Sequence, residues 1–280
     1  MKKNSIIFTV DVEDWFHAAV MHRTISRLKT YHAIPRLVEN LTSLGQWLSD
    51  NDAKATFFCL SSLGKEVNLI LRTLSEEGHE IASHGHSHKS LNLLNNQELL
   101  NELRYSRTFL EDLIGKPVVG FRAPNFSITD QAIDCLLEAG YVYDSSVYNV
   151  PWHPSYGRLE KLPTKSIPYH LPNGLIEFPL SVWKRAGFSI PLAGGAYFRH
   201  FPFSLFKAGA GQLAKQGYFN FYIHPWEVDH SHPIPPGVKW VDKIRHFRNL
   251  EKVFPRIQVL RESLVFKSIK EQLASEKCIN

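Results

Sequence analysis

Ile6-Ile-Phe-Thr-Val-Asp-Val-Glu-Asp14 sets a short, largely apolar run directly against three carboxylates. Its β-branched and aromatic content predicts a buried strand, and its acids mark the strand's end. Downstream, the pattern changes period. Ile34, Leu37, Leu41, Leu44 and Leu48 recur at helical spacing, and Ala55–Leu60 (ATFFCL) reads as a second buried strand. A helix through Val67, Leu71 and Leu74 ends near Gly78, and Glu80–Ser83 is a third, very short strand. Leu99–Leu113 predicts a long helix closed by Gly115-Lys-Pro117, before a fourth strand over Val118–Phe121. Thr129 is placed to cap a helix that ends at Gly140, and Tyr141–Ser145 is a fifth strand. Between Asn149 and Pro172 five prolines interrupt the rhythm, which predicts a long ordered loop or lid. Leu175–Phe178 is a candidate strand, Leu205–Gln216 a candidate helix, and Tyr218–Ile223 a late strand. Repeated β-α units imply parallel strands with helical crossovers, arranged as a barrel or a doubly wound sheet.

Composition narrows the function classes. The 280 residues are 44% hydrophobic and 21% charged, ordinary for a chain that buries a sizeable core. The formal charge is +5, but the densest basic stretch, Lys239–Arg248, is interleaved with acidic and apolar residues. That argues against nucleic acid as a partner and leaves peripheral membrane contact open. Three widely spaced cysteines, Cys59, Cys135 and Cys278, support neither a disulfide framework nor a cysteine metal site. No apolar run is long enough to span a membrane, and Ser5–Val10 is too short for a secretory apolar region, so a cytoplasmic location is expected.

Polar residues gather where these strands end. Asp11, Glu13 and Asp14 follow the first, His84, His86 and His88 the third, and Arg122 the fourth; Asp144 and His224 end the fifth and the late one. Parallel α/β folds carry their sites at that edge. His84 and His88, four apart, can share a metal on one side of a helical turn, whereas His84 and His86 would share one face of an extended segment. Two histidines and one carboxylate leave coordination positions open for water and substrate, and a spare carboxylate can act as a base. Either Asp14, with the stiffer side chain, or Glu13, on the strand face of Asp11, can be that ligand. Arg122 offers a planar fork to a carboxylate, and His224 is a candidate proton donor. Trp226, Trp152 and Trp183 are candidates for stacking on sugar rings, although any one of them is more often a core residue.

In this order the motifs resemble those of the polysaccharide deacetylases, the NodB-homology proteins of carbohydrate esterase family 4. The resemblance runs through Thr9-Val-Asp11, Ser83-His84 to His88, Arg122-Ala-Pro124, Asp144-Ser145 and Ile223-His224. The DVEDWF opening, Gly194-Gly-Ala-Tyr-Phe-Arg199 and His224-Pro-Trp-Glu227 further resemble a bacterial subgroup associated with exopolysaccharide production. The resemblance implies a distorted (β/α) barrel of seven parallel strands in a single catalytic domain over residues 1–280. The motif core would span about residues 6–226, with residues 227–280 packed on it as an extension. It implies a divalent metal, commonly zinc, with His84, His88 and an acid just after Asp11 as ligands. Because Val12 separates Asp11 from the next acids, Asp14 is the expected ligand and Glu13 the alternative. Asp11 would be the base, His224 the acid, Arg122 the positioner of Asp11, and Asp144 an orienting group. The backbone N–H of Asn125 would assist at the oxyanion, and Trp226 would meet the sugar. The expected reaction is hydrolysis of an N-acetyl group on an amino sugar, oligosaccharide, or nucleotide- or lipid-linked precursor. Hydrolysis of another linear or cyclic amide, and sugar binding without catalysis, are the alternatives.

Overall fold

The computed structural model describes residues 3–28, 31–150, 156–185 and 187–275. Its strands are β1 Asn4–Val12, β2 Thr56–Cys59, β3 Glu80–Ser83, β4 Gly120–Phe121, β5 Tyr143–Asp144, β6 Tyr169–His170, β7 Ile176–Glu177, β8 Val182–Arg185, β9 Phe188–Pro191, β10 Asn220–Ile223 and β11 Leu264–Lys267. The helices are α1 Ala19–Ile25, α2 Leu37–Asp50, α3 Lys65–Glu76, α4 Asn96–Ile114, α5 Asp130–Glu138, α6 Gly195–His200, α7 Phe203–Lys215, α8 Trp240–Phe247, α9 Val253–Ser263 and α10 Ile269–Ser275.

One curled sheet runs β10-β1-β2-β3-β4-β5-β7 with parallel neighbours, and β6 adds an antiparallel edge. With β11, which also pairs parallel with β1, the described residues hold eight parallel strands where the resemblance implies seven. β1 is long enough for two partners on one side: Asn4–Ile7 pairs with β11 and Ile7–Val10 with β10. The far seam, between the chain after β7 and β10, closes through Asn220. Its side-chain amide donates to the Phe178 and Pro179 carbonyls at 3.1 and 3.3 Å, and its backbone N–H to Ser181 Oγ at 2.8 Å. These side-chain bonds supplement a sparse backbone pairing, in which the Ser181 N–H reaches the Asn220 carbonyl at 3.4 Å and the Tyr222 N–H the Ala193 carbonyl at 2.7 Å.

The helices form where capping chemistry and apolar spacing agree. α4 opens with a capping box between Asn95 and Glu98 and closes on Gly115 at φ 66°. α5 is capped by Thr129, whose Oγ1 accepts from the Ala132 N–H at 3.2 Å. Each lays its apolar stripe on the barrel, and the core between is continuous. Cys59 and Cys135 are free and buried, and Cys278 lies outside the described residues. Among the elements with no counterpart in the sequence pattern are α1, α6, the two-residue β6, β11, and the hairpin of β8 and β9.

Candidate active site

β1 carries its extended geometry through Val12, so Asp11 and Glu13 project to one face and Asp14 does not. The Glu13 carboxylate reaches across to two imidazoles: Oε1 lies 2.9 Å from His84 Nε2 and 2.8 Å from His88 Nε2. His84 follows β3 directly. His88 is delivered by a tight loop in which Gly85 has φ 84° and His88 itself φ 56°. A non-glycine residue held at positive φ is strained, and such strain collects at functional sites. Glu102 on α4 clamps this loop, its Oε1 accepting from the His86 N–H, the Ser87 N–H and Ser87 Oγ at 2.7, 2.5 and 3.0 Å. His86 turns away, with Nδ1 2.9 Å from Ser61 Oγ and its ring edge-on to Tyr105.

This triad fits a cation on the chemistry of its donors. His84 Nδ1 lies 2.8 Å from the Arg122 carbonyl, which can only accept, so Nδ1 carries the proton. Neutral His84 then presents a bare Nε2 lone pair to a carboxylate oxygen at 2.9 Å. That contact is repulsive unless positive charge lies between them. Burial works to raise the Glu13 pKa, but the charge of His88 beside it holds it well below the usual carboxylate range. Ligand atoms of Glu13, His84 and His88 all lie within 4.8 Å of one another.

For Asp14, the ligand expected from the sequence, the structure differs. Its Oδ1 accepts the Trp15 N–H at 2.8 Å, and its Oδ2 those of Arg36 and Leu37 at 2.9 and 3.2 Å. The side chain therefore holds the start of α2 while Glu13 meets the histidines. His17, which no sequence pattern singles out, sits beside this turn. Its Nδ1 accepts the Asp14 N–H at 3.0 Å, leaving Nε2 as the protonated nitrogen of the neutral ring. Burial, opposed by the Glu13 charge, takes its pKa down to about 4. The ring lies 5.5 Å from that of His88.

Asp11 is held by Arg122, which is wholly buried. Arg122 Nη1 donates to Asp11 Oδ1 at 2.6 Å and Thr9 Oγ1 at 2.8 Å, Nε to the Ser145 carbonyl and Nη2 to Ser145 Oγ, both at 2.9 Å. The guanidinium also lies 4.1 Å from the centre of the Phe58 ring. Among the described residues Asp11 Oδ2 carries no hydrogen bond.

Asp144 orients a turn rather than a catalytic side chain. Its carboxylate accepts from Ser146 Oγ at 2.6 Å and Ser146 N–H at 3.1 Å, and Ser146 Oγ accepts the Ala123 N–H at 2.8 Å. Beneath it lies Glu177, which the sequence does not mark. Burial and the charge of Asp144 push the Glu177 carboxyl well up, so Glu177 keeps its proton and donates to Asp144. Glu177 Oε1 accepts the Val147 N–H at 3.0 Å. Asn125 is half-buried in the left-handed region (φ 54°, ψ 20°), just after the Arg122 carbonyl that His84 grips.

His224 stands across from this cluster with 21% of its side chain exposed. The turn His224-Pro-Trp-Glu227 folds Glu227 back, so Oε2 accepts both the His224 N–H at 3.0 Å and Nδ1 at 3.2 Å. Buried Arg199 donates from Nε to Glu227 Oε1 at 2.8 Å, and its Nη1 is spent on the carbonyls of His246 and Arg248, both at 2.9 Å. Burial opposes the charge on Glu227, but Arg199 and His224 hold its pKa at about 2. Burial likewise opposes His224 protonation, yet the Glu227 bond and the charges of Glu13, Glu227 and Asp11 push it up to about 9. Gly195 makes this possible, because a Cβ there would stand 2.0 Å from Glu227 Oε2.

Trp226 does not offer a platform to a sugar. It is 5% exposed and stacked between His224 and His246, at centroid distances of 5.3 and 4.2 Å. Trp183 is buried, with Nε1 3.1 Å from Gln212 Oε1, and Trp152 lies outside the described residues. Partly exposed aromatic surface comes instead from Tyr156, backed by buried Tyr148. Tyr148 and Tyr156 stack at 5.2 Å and line a cavity of about 460 Å³ together with Asn149, Thr164 and Lys184.

Residues 25–143 match the polysaccharide deacetylase family, and residues 145–274 match a domain of unknown function, DUF3473. Strands from both segments belong to the single curled sheet. Among curated proteins, a peptidoglycan-N-acetylglucosamine deacetylase of Bacillus cereus is 28% identical over 120 residues, 41% of this chain and 42% of its own. Chitin deacetylase 1 of Cryptococcus neoformans is 27% identical over 178 residues, 54% of this chain and 38% of its own. The chain thus matches less than half the length of either relative. Among solved structures, a putative polysaccharide deacetylase from Mycobacterium smegmatis superposes with a TM-score of 0.63 at 18% identity, covering 96% of this chain and 89% of that one. This likeness shows the fold, and the curled, mostly parallel sheet is that of carbohydrate esterase family 4. Residues 25–143 are thus similar to the polysaccharide deacetylase family, and the whole chain shares its fold with a solved structure of that kind.

Proposed function

We propose that the protein is a metal-dependent N-deacetylase of an amino-sugar glycan or its precursor. The observation that carries this reading is the convergence of Asp11, the Glu13/His84/His88 triad and His224 on one edge of the barrel, each held by a buried partner. Glu13, His84 and His88 would hold a divalent cation, most simply zinc, which when bound supplies Lewis acidity to water and to an acetyl carbonyl. Asp11 Oδ1 is given to Arg122, so Oδ2 is the atom that accepts a proton from the attacking water. Arg122 keeps Asp11 aimed. The Asn125 N–H would donate to the developing oxyanion. His224, protonated through Glu227, gives its proton to the departing sugar nitrogen. The products are acetate and a free amino sugar.

The named activities of the deacetylase relatives support an N-acetylated substrate. The test is acetate release from a panel of N-acetyl oligosaccharides, nucleotide sugars and lipid-linked sugars, with zinc and with a chelator. Chelator-sensitive acetate from one class is expected. Bound metal without acetate from any class would turn the reading to another amide or to a carbohydrate-binding protein.

A further inference from the structure

The chemistry leaves one surface at the site's edge unused. The chain between β1 and α2 (residues 13–36) and the chain after β10 (residues 224–248) both leave the catalytic ends of neighbouring strands. They pack together through a small core around Trp15, Met21, Trp226 and Leu250, with α1 against α8. The outer face of α8 is apolar and uncovered: Trp240, Val241 and Ile244 are 74, 52 and 46% exposed. At spacings of one, three and four they share one side of the helix. Ile234 and Ile34, on the same two segments, are 48 and 66% exposed.

Charge is concentrated in the same place. Residues 13–36 and 224–248 together hold eight Lys and Arg against five acids, a net of +3; Glu13, Asp14, Glu227 and Asp229 are buried, with Asp229 paired to Arg36, so Asp242 is the one acid not buried. The whole chain is +5, so these 49 residues carry more than half of its net charge. Lys239 and Lys243 flank Trp240 directly and are exposed. An exposed tryptophan on a short helix, bracketed by lysines and branched aliphatics, is the composition of an interfacial helix. The indole settles at headgroup level, the aliphatics reach the acyl boundary, and the lysines meet phosphates. A protein partner would cover the apolar face without needing this accumulation of positive charge, whereas an acidic bilayer uses both.

We propose that the α1/α8 face docks on an anionic lipid bilayer and holds the mouth of the site at headgroup level. Resting on the deacetylase reading above, this selects a lipid-linked amino sugar as the substrate class. Each basic residue near such a surface adds about 1 kcal/mol, so two charge reversals weaken binding at least about tenfold.

The experiment is co-sedimentation of the whole chain with phosphatidylcholine vesicles, with and without about a third of phosphatidylglycerol. Wild type is expected to bind the acidic vesicles, to bind the neutral ones at least about tenfold less, and to release with salt. Trp240→Ser/Ile244→Ser and Lys239→Glu/Lys243→Glu are each expected to lose binding while keeping the wild-type melting profile and acetate release from a soluble N-acetyl oligosaccharide. Absence of wild-type binding, or equal binding by wild type and both variants, would overturn the proposal. So would a concentration-dependent dimer abolished by Trp240→Ser/Ile244→Ser, which would assign the face to a second copy. Vesicle binding is read without turnover, so docking without acetate release would sustain this proposal and count against the deacetylase reading alone.

Discussion

Replacing Glu227 by glutamine isolates the device that keeps His224 protonated. In the native site a buried, Arg199-paired carboxylate accepts from His224 Nδ1, and His224 is pushed from 6.5 up to about 9. That shift corresponds to about 3 kcal/mol favouring the protonated ring. The Glu227→Gln substitution removes the charge and turns an amide toward the histidine, where it no longer stabilises a proton on Nδ1. With His224 returned to about its ordinary value, the protonated fraction at pH 8 falls about thirtyfold, and at pH 6 by less than about twofold. The assay is the pH dependence of kcat/KM for acetate release. The alkaline limb is expected to move down by about one to two pH units, with activity recovered near pH 6. A cation at the Glu13 triad cancels the Glu13 share of the lift and brings the native limb below 9, but the Glu227 share remains. Stability follows the same sign. Because the folded pKa is raised, this pair's contribution is complete below about pH 6.5 and is lost as pH rises through about 9, and the variant should lose that dependence. An alkaline limb unmoved in Glu227→Gln would refute His224 as the acid held by Glu227.

Three further outcomes follow from the geometry. Glu13→Gln should bind no zinc at neutral pH by elemental analysis, whereas Asp14→Asn should retain it and melt earlier, because three backbone N–H groups lose a charged acceptor at about 1–3 kcal/mol in total. Gly195→Ala should displace Glu227 and reproduce the shifted alkaline limb of Glu227→Gln while leaving metal content intact. Arg122→Lys keeps a charge but cannot satisfy Thr9, Asp11 and Ser145 together, so kcat should fall by about a hundredfold or more and stability by about 3 kcal/mol in denaturant titration.

Much of this site is legible in the sequence because short apolar runs alternate with helical stripes and the polar residues follow the runs. Asp11, His84, His88, Arg122 and His224 fall at one sheet edge for that reason alone. Strand parity also points to Glu13, two residues from Asp11 on the same face; the shorter side chain of Asp14 points the other way. What settles the matter is the bend after Glu13, which turns Asp14 toward the N–H groups at the start of α2, and no periodicity marks that bend. Glu227 is accessible in principle, since an acid three residues after a turn-opening residue is a capping pattern. Arg199 and Glu177 are not. Their roles depend on long-range burial beside Glu227 and Asp144, which local sequence does not encode. The β8–β9 hairpin is hidden by four-residue strands, one of them ending in proline.

The most direct measurement of the central claim is made on Asp11→Asn. The substituted amide keeps the shape that Arg122 grips but cannot take a proton from water. The account expects one equivalent of zinc bound as in wild type, a lowered melting temperature because buried Arg122 loses its paired charge, and no chelator-sensitive acetate release. Full turnover by that metal-loaded variant would remove Asp11 from the role of base and contradict the mechanism at its first step.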